Sequence, residues 1–174
     1  MQTILEILKY ILPSIITFLT AWFIIRQFID NEQKKSLIAM KSSASQTIMP
    51  VRLQAYERVL LLLERISLQS LVMRVHQAGM TAAELHQALL QTVRQEYDHN
   101  LSQQLYMSPD AWELIRNAKE EVIKVVNTCA GRMPEQAEGK DLATDILEET
   151  LKMGRPMTTT AILFIKKEVR QIYG

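Results

Sequence analysis

Three features of the sequence predict an all-α protein: apolar residues recur every three or four positions, helix breakers are few, and no stretch alternates polar with apolar residues. Only five Gly and five Pro occur among 174 residues. Leu, Gln, Glu, Arg and Ala, which favour helices, are plentiful. Hydrophobic residues at 48% and charged residues at 22% are ordinary globular usage, enough to bury a core. The architecture expected is a single N-terminal transmembrane helix at 1–31, a helical juxtamembrane stalk or linker at 32–49, and a cytoplasmic bundle of about five helices at 50–174.

The first element rests on residues 10–25, YILPSIITFLTAWFII, which carry no charge. Sixteen residues reach only ~24 Å along a helix, short of a ~30 Å hydrocarbon core. Lys9 and Arg26 are expected to snorkel to the headgroups while Ile4, Leu5, Ile7, Leu8, Phe28 and Ile29 prolong the apolar surface, giving a span of ~39 Å. Tyr10 and Trp22 lie near opposite ends, where amphipathic rings suit the interface. Pro13 lies one turn inside Lys9, where its missing hydrogen bond costs least. A cleaved signal is disfavoured, because Glu6 offsets Lys9 and bulky Trp22, Phe23, Ile24 and Ile25 occupy the cleavage position. The competing reading of the segment is a buried core helix.

Ser14, Thr17, Thr20 and Ala21 gather on one side of this helix. Small residues there allow a second helix to approach closely, unless the hydroxyls bond back to their own backbone. The flanking cations set the orientation: Arg26, Lys34, Lys35 and Lys41 follow the span, against Lys9 before it. The expected location is therefore the cytoplasmic (inner) membrane, single-pass, with the N-terminus outside and the main domain in the cytoplasm. Cys129 is the single cysteine, so no intrachain disulfide forms, in keeping with a reducing compartment.

Residues 30–49, DNEQKKSLIAMKSSASQTIM, begin as a polar helical extension and become Ser-rich around SSAS, which reads as a linker. Three spaced lysines there are a weak polybasic signal beside the plainer reading of a solvated face. From Pro50 the period is strongly helical. In PVRLQAYERVLLLLERI, Pro50 suits a helix start and Leu53, Tyr56, Leu60 and Leu63 recur at spacings of 3 and 4. The apolar run 59–63 must be covered on most sides and marks the centre of the core. SLQSLVMRVH continues as a bent or separate short helix ending before Gly79. Thr81 and Glu84 have capping-box spacing and open a helix to about His99. In SPDAWELIRNAKEEVIKVVNTCAG, Ser108 caps, Pro109 takes the first position, Asp110 and Glu113 complement the dipole, and Gly131 closes the helix. Its expected seam is Ala111, Ile115, Ala118, Val122, Val125 and Cys129. RMPEQAEGK is a loop, and DLATDILEETLKMG and TTTAILFIKKEVRQIYG give two more helices, the last with Ile162, Ile165, Val169 and Ile172 on one side.

Through RLQAYERVLLLLERI (52–66) and EYDHNLSQQLYMSPDAWELIRNAKEEVI (96–123), the chain resembles an uncharacterised family of small bacterial proteins with one N-terminal membrane span and a helical cytoplasmic domain. The resemblance covers most of the chain. It implies a cytoplasmic-membrane location and carries over no activity, cofactor or catalytic residue.

Catalytic motifs are sparse. Glu96 and His99 stand at Glu-x-x-His spacing, which puts two metal ligands on one helical face and serves di-iron bundles in duplicate with two further Glu. Here there is one copy, and a solvated helix end is the plain reading, so no metal is expected. Glu84 and His86 point to different sides of their helix, and His76 suits a helix end. Cys129 falls on an apolar seam, where a thiol behaves as a small hydrophobe. No phosphate-binding Gly-rich loop, paired-cysteine motif or Gly-x-Ser-x-Gly elbow occurs. Tyr106 and Trp112, in NLSQQLYMSPDAW, either form a partner-binding surface or staple a helix start onto its neighbour. Residues 50–174 hold 15 Lys and Arg against 16 Asp and Glu, which is too balanced for nucleic acid.

The function expected is a membrane-anchored, cytoplasmic-facing scaffold or protein-interaction module, with no enzymatic activity, no cofactor and no small-molecule substrate. Its partners would be the lipid bilayer and another protein or a second copy. The alternatives are a membrane-bound metalloenzyme or redox protein using Glu96 and His99, and an accessory subunit of a larger membrane complex.

Overall fold

The computed structural model describes the fold of residues 2–173, and the side chains at 15–29, 32–33, 35 and 48–172. It is all-helical: α1 (Gln2–Ile66), α2 (Leu68–Val75), α3 (Ala82–Asn100), a 3-10 helix (Leu101–Tyr106), α4 (Pro109–Ala130), α5 (Gly139–Lys152) and α6 (Met157–Tyr173) follow in order. Two compact units divide the chain, Met1–Met49 and Pro50–Gly174. Helix α1 passes without interruption through residues 42–45 and Pro50, where the sequence suggested a linker and a helix start. Ser costs a helix only a few tenths of a kcal/mol per residue, and no Gly interrupts the run.

Within the first unit, the apolar side chains from Ile15 to Ile29 are exposed on every side of α1. Among the described residues, however, no helix is long and apolar enough to cross a membrane. This corrects the expected transmembrane anchor and the single-pass, inner-membrane location built on it. The uncharged run among the described side chains, 15–25, has a length of only ~16 Å, about half of the hydrocarbon thickness. The longer span also required Arg26 to reach outward, whereas its guanidinium turns back over the Trp22 ring, 5.1 Å from the centroid. Thr20 donates its hydroxyl hydrogen to the Ile16 carbonyl at 2.7 Å, so this hydroxyl bonds to its own helix. Tyr10, Pro13 and Ser14, together with Lys34 and Lys41, lie outside the described side chains.

The second unit builds its core on the end of α1. Tyr56, Val59, Leu62, Leu63 and Ile66 are buried there, while Leu53, expected on the same seam, is 45% exposed. At Ser67 the backbone leaves the helix (φ −55°, ψ 135°) and the hydroxyl donates to the Glu64 carbonyl at 2.8 Å. Helix α2 thus turns back and buries Leu68, Leu71 and Val72. His76 ends it, donating its N–H to the Val72 carbonyl.

Two loops then meet. Gly79 has φ +87°, a conformation that favours glycine. Beyond it, Ala82 N–H donates to the Ala137 carbonyl at 2.9 Å and Gly139 N–H to the Met80 carbonyl at 2.7 Å, an antiparallel bridge centred on Thr81 and Glu138. Both flanking helices start at this bridge. The expected capping box is present: Thr81 N–H donates to Glu84 Oε2 at 2.9 Å, and Glu84 N–H to Thr81 Oγ1 at 3.2 Å. At the other start, Glu138 N–H donates to Asp141 Oδ2 at 3.1 Å. Helix α4 begins as its sequence indicates, with Ser108 Oγ accepting from Ala111 N–H at 3.1 Å and Pro109 in the first turn. Its seam is buried at Ala111, Ile115, Ala118, Val122, Val126 and Cys129, with Val126 in the place expected of Val125. On α6, Ala161, Ile162 and Ile165 are buried, and Ile172 is exposed.

The loop crossing leaves no space at Gly139, where a Cβ would stand 2.9 Å from the Met80 carbonyl oxygen and 3.2 Å from its Cβ. Gly154 has nothing within 4 Å of such an atom. Gly139→Ala should therefore lower unfolding stability by about 1–3 kcal/mol. Gly154→Ala should leave it unchanged or raise it by up to ~1 kcal/mol. Urea titrations of the two variants against the parent check this contrast.

Candidate functional site

Two polar junctions tie the end of α1 to the rest of the second unit. The first surrounds Glu168 of α6. Tyr56 donates its hydroxyl hydrogen to Glu168 Oε1 at 2.7 Å, and Ser108 donates to Oε2 at 2.9 Å. One carboxylate therefore holds α1 and the start of α4 together, with both oxygens engaged. Arg52 Nε donates to the Tyr106 carbonyl at 3.2 Å, which fixes the end of the 3-10 helix beside α1. Tyr56 is fully buried. Burial first, then the hydrogen bond and charge of Glu168, push its phenol up from 10.0 to about 12.

The second junction lies at the far end of α3. Glu96 Oε1 accepts from Arg65 Nε at 2.7 Å and from Arg74 Nη1 at 3.0 Å. Arg74 Nη2 also donates to the Arg65 carbonyl at 3.2 Å, so α2 is bound across the end of α1. Beside this pair is a cleft of about 230 Å³ lined by Arg58, Leu61, Leu62, Arg65, Glu96, His99 and Asn100. Glu96 and His99, the candidate metal pair, do share this cleft. Yet Glu96 is already engaged by two guanidinium groups, and among the described residues no three His, Cys, Asp or Glu are placed to hold a metal ion.

Tyr106 and Trp112 are both half-buried. Trp112 packs on Tyr97 with ring centroids 5.7 Å apart and planes at 36°, and Lys119 Nζ lies 4.5 Å over the other aromatic, Tyr97. Trp112 thus joins the start of α4 to α3, the stapling role, while its remaining surface lines a cleft of about 390 Å³ with Gln104, Met107 and Arg116. His86 Nε2 donates to Asn127 Oδ1 at 2.8 Å, a link between α3 and α4. Cys129 is buried. Burial first, then the Asp145 carboxylate, push its thiol up from 9.0 to about 12, the opposite of what a nucleophile needs.

Sequence reasoning missed the Glu168 junction and the meeting of three arginines near Glu96. The signal for the first was Tyr56 itself, because a tyrosine inside an aliphatic seam must find a partner for its hydroxyl. For the second the local signal was partial: Arg58 and Arg65 share one face of α1 at a spacing of seven, but Arg74 and Glu96 join them only through the turn at Ser67 and the packing of α3.

Two outcomes follow from this chemistry. Tyr56→Phe leaves Glu168 Oε1 without its donor and should cost about 1.5–3 kcal/mol at pH 7. A folded-state pKa above the unfolded value of 10.0 means that the phenol's contribution is complete below pH 10 and is lost as pH rises toward 12. Urea midpoints between pH 7 and 12 should therefore fall less steeply for Tyr56→Phe than for the parent. For Cys129, a thiol reagent at pH 8 should modify the native protein no faster than the core opens, and urea should accelerate the reaction. Immediate stoichiometric labelling would contradict the buried thiol.

Comparison with curated proteins and with solved structures gave no match. A family model does match, over residues 2–172, which is nearly the whole chain. The chain accordingly belongs to a family of unknown function, DUF7935.

Proposed function

We propose that this chain is a protein-interaction module, a non-catalytic helical bundle that holds another protein on its surface. The observation that carries this reading is the engagement of the polar groups gathered by the fold. Glu96 takes two arginines, and Glu168 takes Tyr56 and Ser108. These carboxylates position helices: Glu168 has both oxygens taken by hydroxyl donors, and Glu96, although it shares its cleft with His99, has its Oε1 held by two guanidinium groups, whereas acid–base chemistry requires a carboxylate free to exchange a proton. What the bundle offers outward includes exposed aliphatic side chains on α1, the 3-10 helix and α5. Leu61, Leu105 and Leu151 are 62%, 80% and 86% exposed, and helical faces of this kind suit docking by other helices. A role as an accessory subunit of a larger assembly is one form of the same reading.

Crosslinking in the native cell, followed by purification of the full chain under mild conditions, tests the proposal. The expected result is a defined stoichiometric complex with another protein, retained through size exclusion. A chain that stays monomeric without crosslinked neighbours, or that carries a stoichiometric transition metal lost on Glu96→Gln, would overturn it.

A further inference from the structure

Resting on that interaction reading, we infer that the cleft between the end of α1 and the end of α3 docks an acidic protein segment with carboxylates flanking an aliphatic side chain. The charge around the cleft is unbalanced. Arg58 and Arg65 line it against the single carboxylate of Glu96, and Arg74 reaches that same carboxylate from α2. Arg58 makes no ion pair or hydrogen bond among the described residues, and Arg65 is about half exposed. Glu57 and Glu64 stand about 100° round the helix from the arginine that follows each, and about 40° and 60° from Leu61, so they border the leucine on the side away from the arginines. Asp98 is displaced in the same way from His99 on α3.

The apolar component lies at the same place. Leu61 is the most exposed apolar side chain of the cleft. The 3-10 helix follows α1 from Asn100, which lines the cleft, to Tyr106, whose carbonyl holds Arg52. Along it Leu101 and Leu105 are exposed, beyond the residues that line the cleft. A small free anion has no use for these leucines, and a duplex phosphate backbone needs a longer cationic track than three arginines give. A protein segment uses both components: its aliphatic side chain seats against Leu61 as an anchor, and its carboxylates meet Arg58 and Arg65 on the rim.

Selection of a random 16-residue displayed-peptide library on the full chain, then fluorescence anisotropy of the enriched peptides, tests the inference. The peptides should carry Glu or Asp three or four positions from Leu, Ile, Met or Phe, and should bind more weakly as salt rises. Arg58→Glu and Leu61→Ser should each weaken binding by about tenfold or more. Both side chains are exposed and Arg58 has no polar partner among the described residues, so both variants should keep the parent's urea midpoint. Enriched peptides that are neutral or basic, or that bind both variants as well as the parent, would overturn the cleft while leaving the interaction reading standing. A dimer of the chain that Arg58→Glu disperses would overturn it in favour of a second copy. No enrichment would count against both.

Discussion

The exchange of two backbone hydrogen bonds between Met80, Ala82, Ala137 and Gly139 is the constraint from which the geometry of the second unit follows. The first turns of a helix carry N–H groups that no residue of the same helix can satisfy. Here one such donor at the start of α3 and one at the start of α5 are taken by the carbonyls of the opposite loop, and capping carboxylates take others. The two helices therefore begin side by side. From that origin α3 runs 19 residues, ~28 Å at the α-helical rise, and delivers Glu96 and His99 to the end of α1. Gly139 is required because the exchange brings Met80 to within contact of where any larger side chain would be.

Magnitudes separate what holds α1 from what orients it. Each fully buried side chain such as Leu62, Leu63 or Ile66 contributes about 1.5–3 kcal/mol through removal from water. A half-exposed ion pair such as Arg65 with Glu96 contributes about 0–1 kcal/mol. The apolar contacts therefore supply the adhesion. Hydrogen bonds have what apolar contacts lack, a fixed direction and partner. Tyr56 can satisfy Glu168 only in one rotational setting of α1 against α6, and Arg65 and Arg74 can share Glu96 only if α2 has turned back at Ser67.

Features encoded within one turn were legible in the sequence. The capping box at Thr81 and Glu84, the Ser108 cap with Pro109 behind it, and the end of α2 at His76 all depend on neighbours in the chain. The α4 seam was legible at every position but one, Val125. Alternating steps of 4 and 3 average 3.5 residues, whereas an α-helix advances 3.6 per turn, so the buried stripe drifts and eventually takes two steps of 4 in succession. That drift places Val126 inward in place of Val125. Leu53 obeyed the period, but it lies about 60° round the helix from Tyr56, off the face that is covered, while Arg52 beside it is part-buried against Tyr106. The N-terminal reading failed for a different reason: the uncharged run is too short on its own, and the extension that was to lengthen it needed Arg26 to reach outward, whereas its guanidinium lies over the Trp22 ring. The Glu168 junction joins residues 112 positions apart in sequence, a separation that no local pattern spans.

The cleft charge illustrates how a site arises with no motif to announce it. Both arginines that hold Glu96 contact the same oxygen, Oε1, so two guanidinium groups converge on one point while the carboxylate offsets only one of them. Arg58 stands two turns back along α1, on the same face as Arg65 because seven residues make nearly two helical turns. A surplus of positive charge thus persists beside a partly open leucine even though the unit as a whole is close to neutral. It comes from folding: Arg58 and Arg65 lie on one helix, Arg74 on the next, and the reversal at Ser67 brings them to the end of α3. Composition measures total charge, and only the turn determines where that charge accumulates.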